Sequence, residues 1–542
     1  MTNGIYFDKR IVEMKGKLFP GLTSKKGNRT TIKPHAPPEI LFITSYPPRE
    51  CGIATYSYDL KKALQNKFGQ TFSLKICALE SEIENHPYTD EVKYILNTAN
   101  AQNYYELAQH INDDDNISIV LIQHEFGLFD RDGNYFQSFL NKLTKPIVVV
   151  FHTVLPKPDE SLKFKISNIV DTCNAVIVMT NNSAQILMHD YKIPQDKISI
   201  ISHGTHLVKH LNKESLKEKF NLSGRKILST FGLISGGKGI ETTLEALPYI
   251  IKKNPNILFL IIGKTHPSVI KHEGEKYRNM LMQKVVALQL QDHVKFVNTY
   301  LPLQDLLEYL QLTDIYLFTS RDPHQAVSGT FSYAISCGCP IISTPIPHAC
   351  EVLGDDKGII VDFDNPKQLA EAVDHLLDDE QLRKNIISSA LQSMAATTWE
   401  NSALAHAVLF EKIDANKIVL QYTIPSINTD HIKKLTTDFG IIQFSNINQP
   451  DINSGYTLDD NARALIALCH HYALTNDDED IPLIQTYFNF IKHCLQTEGY
   501  FLNYADEKRN FTEQNHNTNL ADANGRAIWA LGYLISMSHL VP

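Results

Sequence analysis

Short, continuously apolar runs rich in valine and isoleucine return along most of the chain, and each stops at a turn: "EILFITSYPP", "TFSLKICAL", "ISIVLIQHEFG", "PIVVVFHTVLP", "AVIVMT" and "ISIISHGT". Stretches with helical spacing separate several of them, as at Ile53, Tyr56, Leu60 and Leu64. A strand apolar on both faces belongs in a parallel sheet covered by helices on both sides. After the polar connector "KHLNKESLKEKFNLSGR" a second series follows, through "KILSTFG", "ILFLIIG", "HVKFVN", "IYLFTS", "PIISTP" and "GIIVDF". Two successive Rossmann-like α/β domains are predicted, over residues 37–210 and 211–398. Ligands of such sheets sit at the C-terminal ends of the strands, and two such domains can face each other across a cleft.

Residues 1–36 carry scattered Lys and Arg with no sustained periodicity and read as a flexible N-terminal arm. Residues 399–421 read as a crossover helix and linker. Beyond Tyr422 the strands stop, and "GYTLDDNARALIALCHHYA", "IPLIQTYFNFIKHCLQ" and "NGRAIWALGYLISM" read as helices. An all-α segment over 422–542 is expected, either the start of a larger helical domain or a compact appendage.

Composition excludes several alternatives. A chain of 542 residues with 43% hydrophobic and 20% charged residues is neither disordered nor a coiled coil. Its net charge of -9 argues against a nucleic-acid binder. No run approaches the roughly 20 apolar residues of a membrane span, and the eight cysteines lie mostly in core-like surroundings, so a cytoplasmic protein with reduced thiols is expected. Cys337 and Cys339 lack a partner cluster with zinc spacing, and no metal site or cofactor is predicted.

The strand ends hold the residues that bear chemistry. In "YPPRECGIATYS" Gly52 admits a ligand close to the backbone at a helix start, and Arg49 adds charge. His124, His152 and His203 each follow a strand, as caps of the core or as the lining of a polar cleft; Glu125 and Glu351 add carboxylates. The sharpest signal is "TFGLISGGKGIETTLEAL", where Gly236, Gly237 and Gly239 surround Lys238 before a helix: close approach with a point charge for a phosphate. In "SRDPHQAVSGTFSYAISCG", Ser328, Gly329 and Thr330 open another helix and can donate to phosphate, with Arg321 nearby. Asp113–Asp115 and Asp362–Asp364 read as solvated faces.

Taken in order, the Gly52 loop, "QHEFG", "FHT", "FGLISGGKG", "SGTFSYAISCGCPIISTP" and "TTWENSALAHAVLFEKI" resemble the retaining glycosyltransferases of the two-Rossmann-domain GT-B class, in the GT4-like family (glycosyl transferases group 1). The resemblance covers about residues 37–415. It implies transfer of a hexose, mannose or glucose, from a UDP- or GDP-linked donor to a saccharide or glycoconjugate hydroxyl, with no metal. It implies that Lys238 contacts the donor diphosphate, that Gly52 lies beneath it, that His124 or His152 lines the sugar site, and that the helix at Trp399 crosses back onto the first domain. The chain departs from the family pattern at Leu233, where an arginine is usual, and at Gln325 and Tyr333, which replace two glutamates near the donor sugar and ribose. Two rivals follow: a retaining disaccharide phosphorylase using phosphate in the same cleft, and a noncatalytic carbohydrate-binding or scaffold protein. The C-terminal segment resembles the start of a helical toroid. There Asp459, Asp460 and Arg463, echoed by Asp522, Asn524 and Arg526, are either helix caps with ion pairs or an ancillary glycan site.

Overall fold

The computed structural model describes residues 37–81, 86–129 and 134–538; the arm expected over residues 1–36 lies outside them. The first sheet contains β1 (Glu39–Thr44), β2 (Ser73–Glu80), β3 (Val92–Asn97), β4 (Ile117–His124), β5 (Ile147–Phe151), β6 (Ala175–Val178) and β7 (Ile198–Ile200). All are parallel, in the order β3-β2-β1-β4-β5-β6-β7. Leu41 and Ile43 of β1 pack with Tyr104 and Phe139 on one face, while Ile40 and Phe42 pack with Leu60 and Leu64 on the other. Burial on both faces is why these strands read as unbroken apolar runs rather than as alternation.

The second sheet contains β8 (Lys226–Phe231), β9 (Ile257–Ile262), β10 (Val294–Val297), β11 (Ile315–Phe318), β12 (Ile341–Ser343) and β13 (Ile359–Ile360). It too is parallel, in the order β10-β9-β8-β11-β12-β13. Strand order reverses between β1 and β4 in one sheet and between β8 and β11 in the other, and loops diverge at such points to leave a crevice. The Gly52, "QHEFG", Lys238 and Ser328 segments all leave from these four strands.

Helix Trp399–Ile413 returns from the second α/β domain to the first. Trp399, Ala403, Ala407 and Phe410 join Tyr56, Leu60, Leu64 and Phe68 of helix Gly52–Phe68 in one buried cluster. Polar contacts also join the two domains. Glu351 accepts from Asn181 N (2.9 Å) and Asn182 N (3.2 Å) at the start of helix Asn181–His189. Glu351 therefore caps a helix in the other domain. Lys264 pairs with Glu50 at 2.9 Å, and Tyr333 Oη donates to Asp59 at 3.0 Å.

The C-terminal region is helical, built on Leu458–Thr475, Asp480–Cys494 and Ala521–Ser536, with one addition to the all-α expectation. Strands β14 (Ile442–Asn446), β15 (Gln449–Thr457) and β16 (Tyr504–Ala505) form a small antiparallel sheet. Much of β15 is exposed and polar, "QPDINSGYT", so neither an apolar run nor an alternation announces it. Among the described residues no helix is long and apolar enough to cross a membrane.

Candidate functional site

Gly232 follows β8 and Gly263 follows β9, both with positive φ (132° and 130°). A Cβ on Gly263 would stand 2.1 Å from the Gly232 carbonyl oxygen, so the two strand ends can lie this close only as glycines. Beyond them Gly236–Lys238 form one 3-10 turn, and Gly239, at φ 59°, starts helix Ile240–Lys253. The turn's carbonyls are held by the end of β11: Arg321 N donates to Gly237 O (2.9 Å) and Thr319 Oγ1 to Lys238 O (3.0 Å).

The Lys238 side chain turns back over the Phe318 ring, 5.6 Å from its centre. Its Nζ would lie 3.3 Å from a Cβ on Gly232, and Thr330 Cγ2 would lie 3.2 Å from the same point. Lys238 and the start of helix Gly329–Ser336 therefore flank Gly232 together. Desolvation pushes the lysine pKa down to about 8, and no carboxylate among the described residues pairs with it. A half-buried cation without a counter-ion, beside a helix start, is suited to receive an anion.

The other predicted phosphate contacts divide. Ser328 Oγ and Thr330 Oγ1 bond each other at 2.9 Å, and Ser328 N donates to Nδ1 of buried His348. Gly52 has open space where a Cβ would be, next to Cys51, whose sulfur caps the helix through Ala54 N. Arg49 donates to Leu79 O at the end of β2. Arg321 is committed to carboxylates, with Nε on Asp364 (2.6 Å) and Nη1 on Glu241 (3.2 Å). The reading of Asp362–Asp364 as a merely solvated face is thus corrected at Asp364. Gln325 fastens its own loop, accepting from Ser320 Oγ (2.8 Å) and donating to Val327 O (3.3 Å). Tyr333, buried, is engaged by Asp59 across the domain boundary.

The histidines also separate. His124 is boxed by Phe126, Phe129, Phe136 and Phe151, its Nδ1 without a hydrogen bond among the described residues, and burial pushes its pKa down to about 4. His152 bonds Gln123 Oε1 through Nε2 at 2.7 Å and meets the Tyr56 ring edge-on, 5.0 Å between centres. His203 meets the same ring at 5.2 Å, and its Nε2 would stand 3.1 Å from a Cβ on Gly329. Burial holds His152 at about 3 and His203 at about 4, so both rings are neutral near pH 7 and serve as hydrogen-bonding groups rather than charges. A contiguous path thus runs from His152 through Tyr56 and His203 to Gly329. Sequence reasoning missed Tyr56, which falls on an ordinary core spacing, and His348, whose ring is tied to Ser328 only by the fold.

In the C-terminal region Arg463 pairs with Asp459 (2.8 Å) and Asp460 (2.7 Å), and Arg526 repeats the pairing with Asp522 (2.7 Å). The repetition extends to buried amides. Asn461 accepts from Ile441 N and donates to Thr457 O, while Asn524 accepts from Phe501 N and donates to Leu520 O. Each asparagine ties a loop to a helix start. Asn461→Ala, which strands the Ile441 amide, should cost about 1–3 kcal/mol, read as a lower urea midpoint for the helical region by circular dichroism. His471, Asp477 and Asp480 bring ligand-type atoms within 4.8 Å of one another, but His471 Nδ1 and Asp480 Oδ2 already share a hydrogen bond of 2.6 Å.

Two parallel sheets with their switch-point loops carrying this site define the GT-B fold. The Anabaena protein HepE, solved in complex with UDP-glucose, has the same fold: TM-score 0.56 at 14% identity, over 69% of this chain and 99% of that one. Residues 212–393 match the family model of Glycosyl transferases group 1, and the second α/β domain is a domain of that family. Spore coat protein SA of Bacillus subtilis is 29% identical over 178 residues, 32% of this chain and 45% of that relative. The D-inositol 3-phosphate glycosyltransferase of Corynebacterium glutamicum is 23% identical over 260 residues, 46% of this chain and 60% of the relative. The chain thus spans about half the length of these curated relatives.

Proposed function

We propose that the protein is a retaining glycosyltransferase that moves a hexose, glucose or mannose, from a nucleotide-diphosphate sugar to a hydroxyl of a glycan or glycoconjugate. The observation that carries this reading is the unpaired, desolvated Lys238 facing Gly232 and the start of helix Gly329–Ser336. Negative charge grows on the leaving diphosphate as the glycosidic bond breaks, so a cation and amides fixed in place stabilise the transition state more than the ground state. His152 and His203, neutral and joined through Tyr56, orient sugar hydroxyls, and closure of the two domains keeps water from the donor. The family description of residues 212–393 and the UDP-glucose bound to the Anabaena neighbour support a nucleotide-sugar donor. Charge compensation comes from the protein's own groups in this reading, with no metal. The eight cysteines, all free thiols, fit a reducing cytoplasm.

One observation favours the phosphorylase instead: Tyr333, where the resemblance expects a ribose-binding carboxylate, is held by Asp59. A tyrosine hydroxyl cannot accept both hydrogens of a ribose diol as a carboxylate does. The two readings separate in one NMR experiment in which purified protein is incubated with UDP-glucose or GDP-mannose, or with glucose 1-phosphate or mannose 1-phosphate, each with a panel of saccharides. Release of UDP or GDP with an anomerically retained product supports the transferase. Turnover of sugar 1-phosphates alone replaces it with the phosphorylase, and no turnover of any donor leaves the noncatalytic binding protein.

A further inference from the structure

The loop that holds Lys238 has Leu233 where a second cation would stand, and the neighbouring Arg321, Lys264 and Arg278 are engaged elsewhere. Arg321 is paired with Asp364 and Glu241, Lys264 with Glu50, and buried Arg278 donates to Gly263 O (2.8 Å) and Thr265 Oγ1 (3.2 Å). The segment after β9 runs directly along the root of the Lys238 turn. Ile234 pairs with Thr265 in a parallel bridge, Ile234 N donates to Lys264 O (2.8 Å), and His266 N donates to Ile234 O (2.9 Å).

His266 is therefore carried beside Lys238, close enough that the lysine's charge, added to burial, lowers the histidine's pKa. Its ring is fixed as well as placed. Nδ1 accepts from Ser268 N at 3.1 Å, and a backbone amide can only donate, so Nδ1 carries no proton. The neutral ring then bears its hydrogen on Nε2, and no hydrogen bond engages Nε2 among the described residues. The fold thus holds an unused N–H donor of defined tautomer next to an unpaired lysine.

We propose that His266 donates through Nε2–H to the diphosphate held by Lys238, supplying the second contact that Leu233 does not. The proposal rests on the nucleotide-diphosphate reading above. His266→Asn is the informative variant, because asparagine retains a cap acceptor for Ser268 N but has no group at the Nε2 position. Isothermal titration with UDP and GDP, and with UMP and GMP as controls, is run on the wild type, His266→Asn and Lys238→Met, with thermal melts to confirm folding. A hydrogen bond to a charged group is worth enough to predict roughly ten- to hundred-fold weaker diphosphate binding by His266→Asn, with monophosphate binding unchanged. His266→Gln, whose amide nitrogen reaches towards the Nε2 position, should recover part of the loss. Wild-type affinity in a folded His266→Asn, with Lys238→Met impaired, overturns the assignment of His266 and leaves the transferase standing. Failure of the wild type to bind UDP or GDP overturns both.

Discussion

Lys238→Met should abolish measurable diphosphate binding, slow transfer by roughly 10²–10³-fold, and make the unliganded protein more stable. These effects have one cause. The lysine is desolvated and unpaired, so its ammonium is destabilised in the folded protein and its pKa falls to about 8, whereas an unfolded lysine titrates at about 10.4. The fold thus opposes the charge that function uses. Methionine keeps the aliphatic stem over Phe318 and removes that charge.

The sign of the pH dependence follows from the direction of the shift. Below pH 8 the lysine is protonated in both states and the full destabilisation is present. Between about 8 and 10 the folded state binds fewer protons than the unfolded one, so wild-type stability rises with pH relative to the variant. The Tm advantage of Lys238→Met, measured by calorimetry, should therefore be largest at pH 7 and shrink by pH 9.5. Over the same range the wild type should lose affinity for UDP or GDP as Nζ becomes neutral. An unchanged or lower Tm for the variant at pH 7 would mean that a counter-charge already compensates the lysine, and the anion site would be lost with it.

What the sequence made legible follows from what each feature requires of neighbouring residues. The two α/β domains were readable because burial on both faces forces unbroken Val/Ile runs, as in Ile119–Ile122, where every residue is buried. The Lys238 turn was readable because its glycines and lysine are contiguous. The long-range pairings were not. That Arg321 is taken by Asp364, that Tyr333 reaches Asp59, and that His266 lies along Ile234 all depend on chain segments tens to hundreds of positions apart. A one-dimensional pattern has no signal for them. β15 escaped for a different reason: with much of the strand exposed, its residues need not be apolar.

Trp399→Ala should cost about 3–5 kcal/mol and weaken transfer as well, because one ring fastens the crossover helix to the site. The indole is buried, lies 5.2 Å from Tyr56 and 5.4 Å from His203, and points Nε1 at His206 Nε2. Its backbone is clamped by Trp399 N to Thr205 O (3.0 Å) and Thr205 N to Thr397 O (2.8 Å). Gly204 makes room for the ring: a Cβ there would fall 2.1 Å from Trp399 Cδ2. Gly204→Ala alone must therefore displace the indole and should destabilise in the same direction. The two changes are coupled, since the three atoms nearest the alanine methyl all belong to the Trp399 ring. The double variant should be no less stable than Trp399→Ala, whereas independent effects would add. Chemical denaturation of the four proteins decides between these outcomes, and additive losses would place Trp399 away from Gly204. Non-additive losses accompanied by a fall in kcat would show that the packing which closes the two domains also sets Tyr56 and His203 at the start of helix Gly329–Ser336.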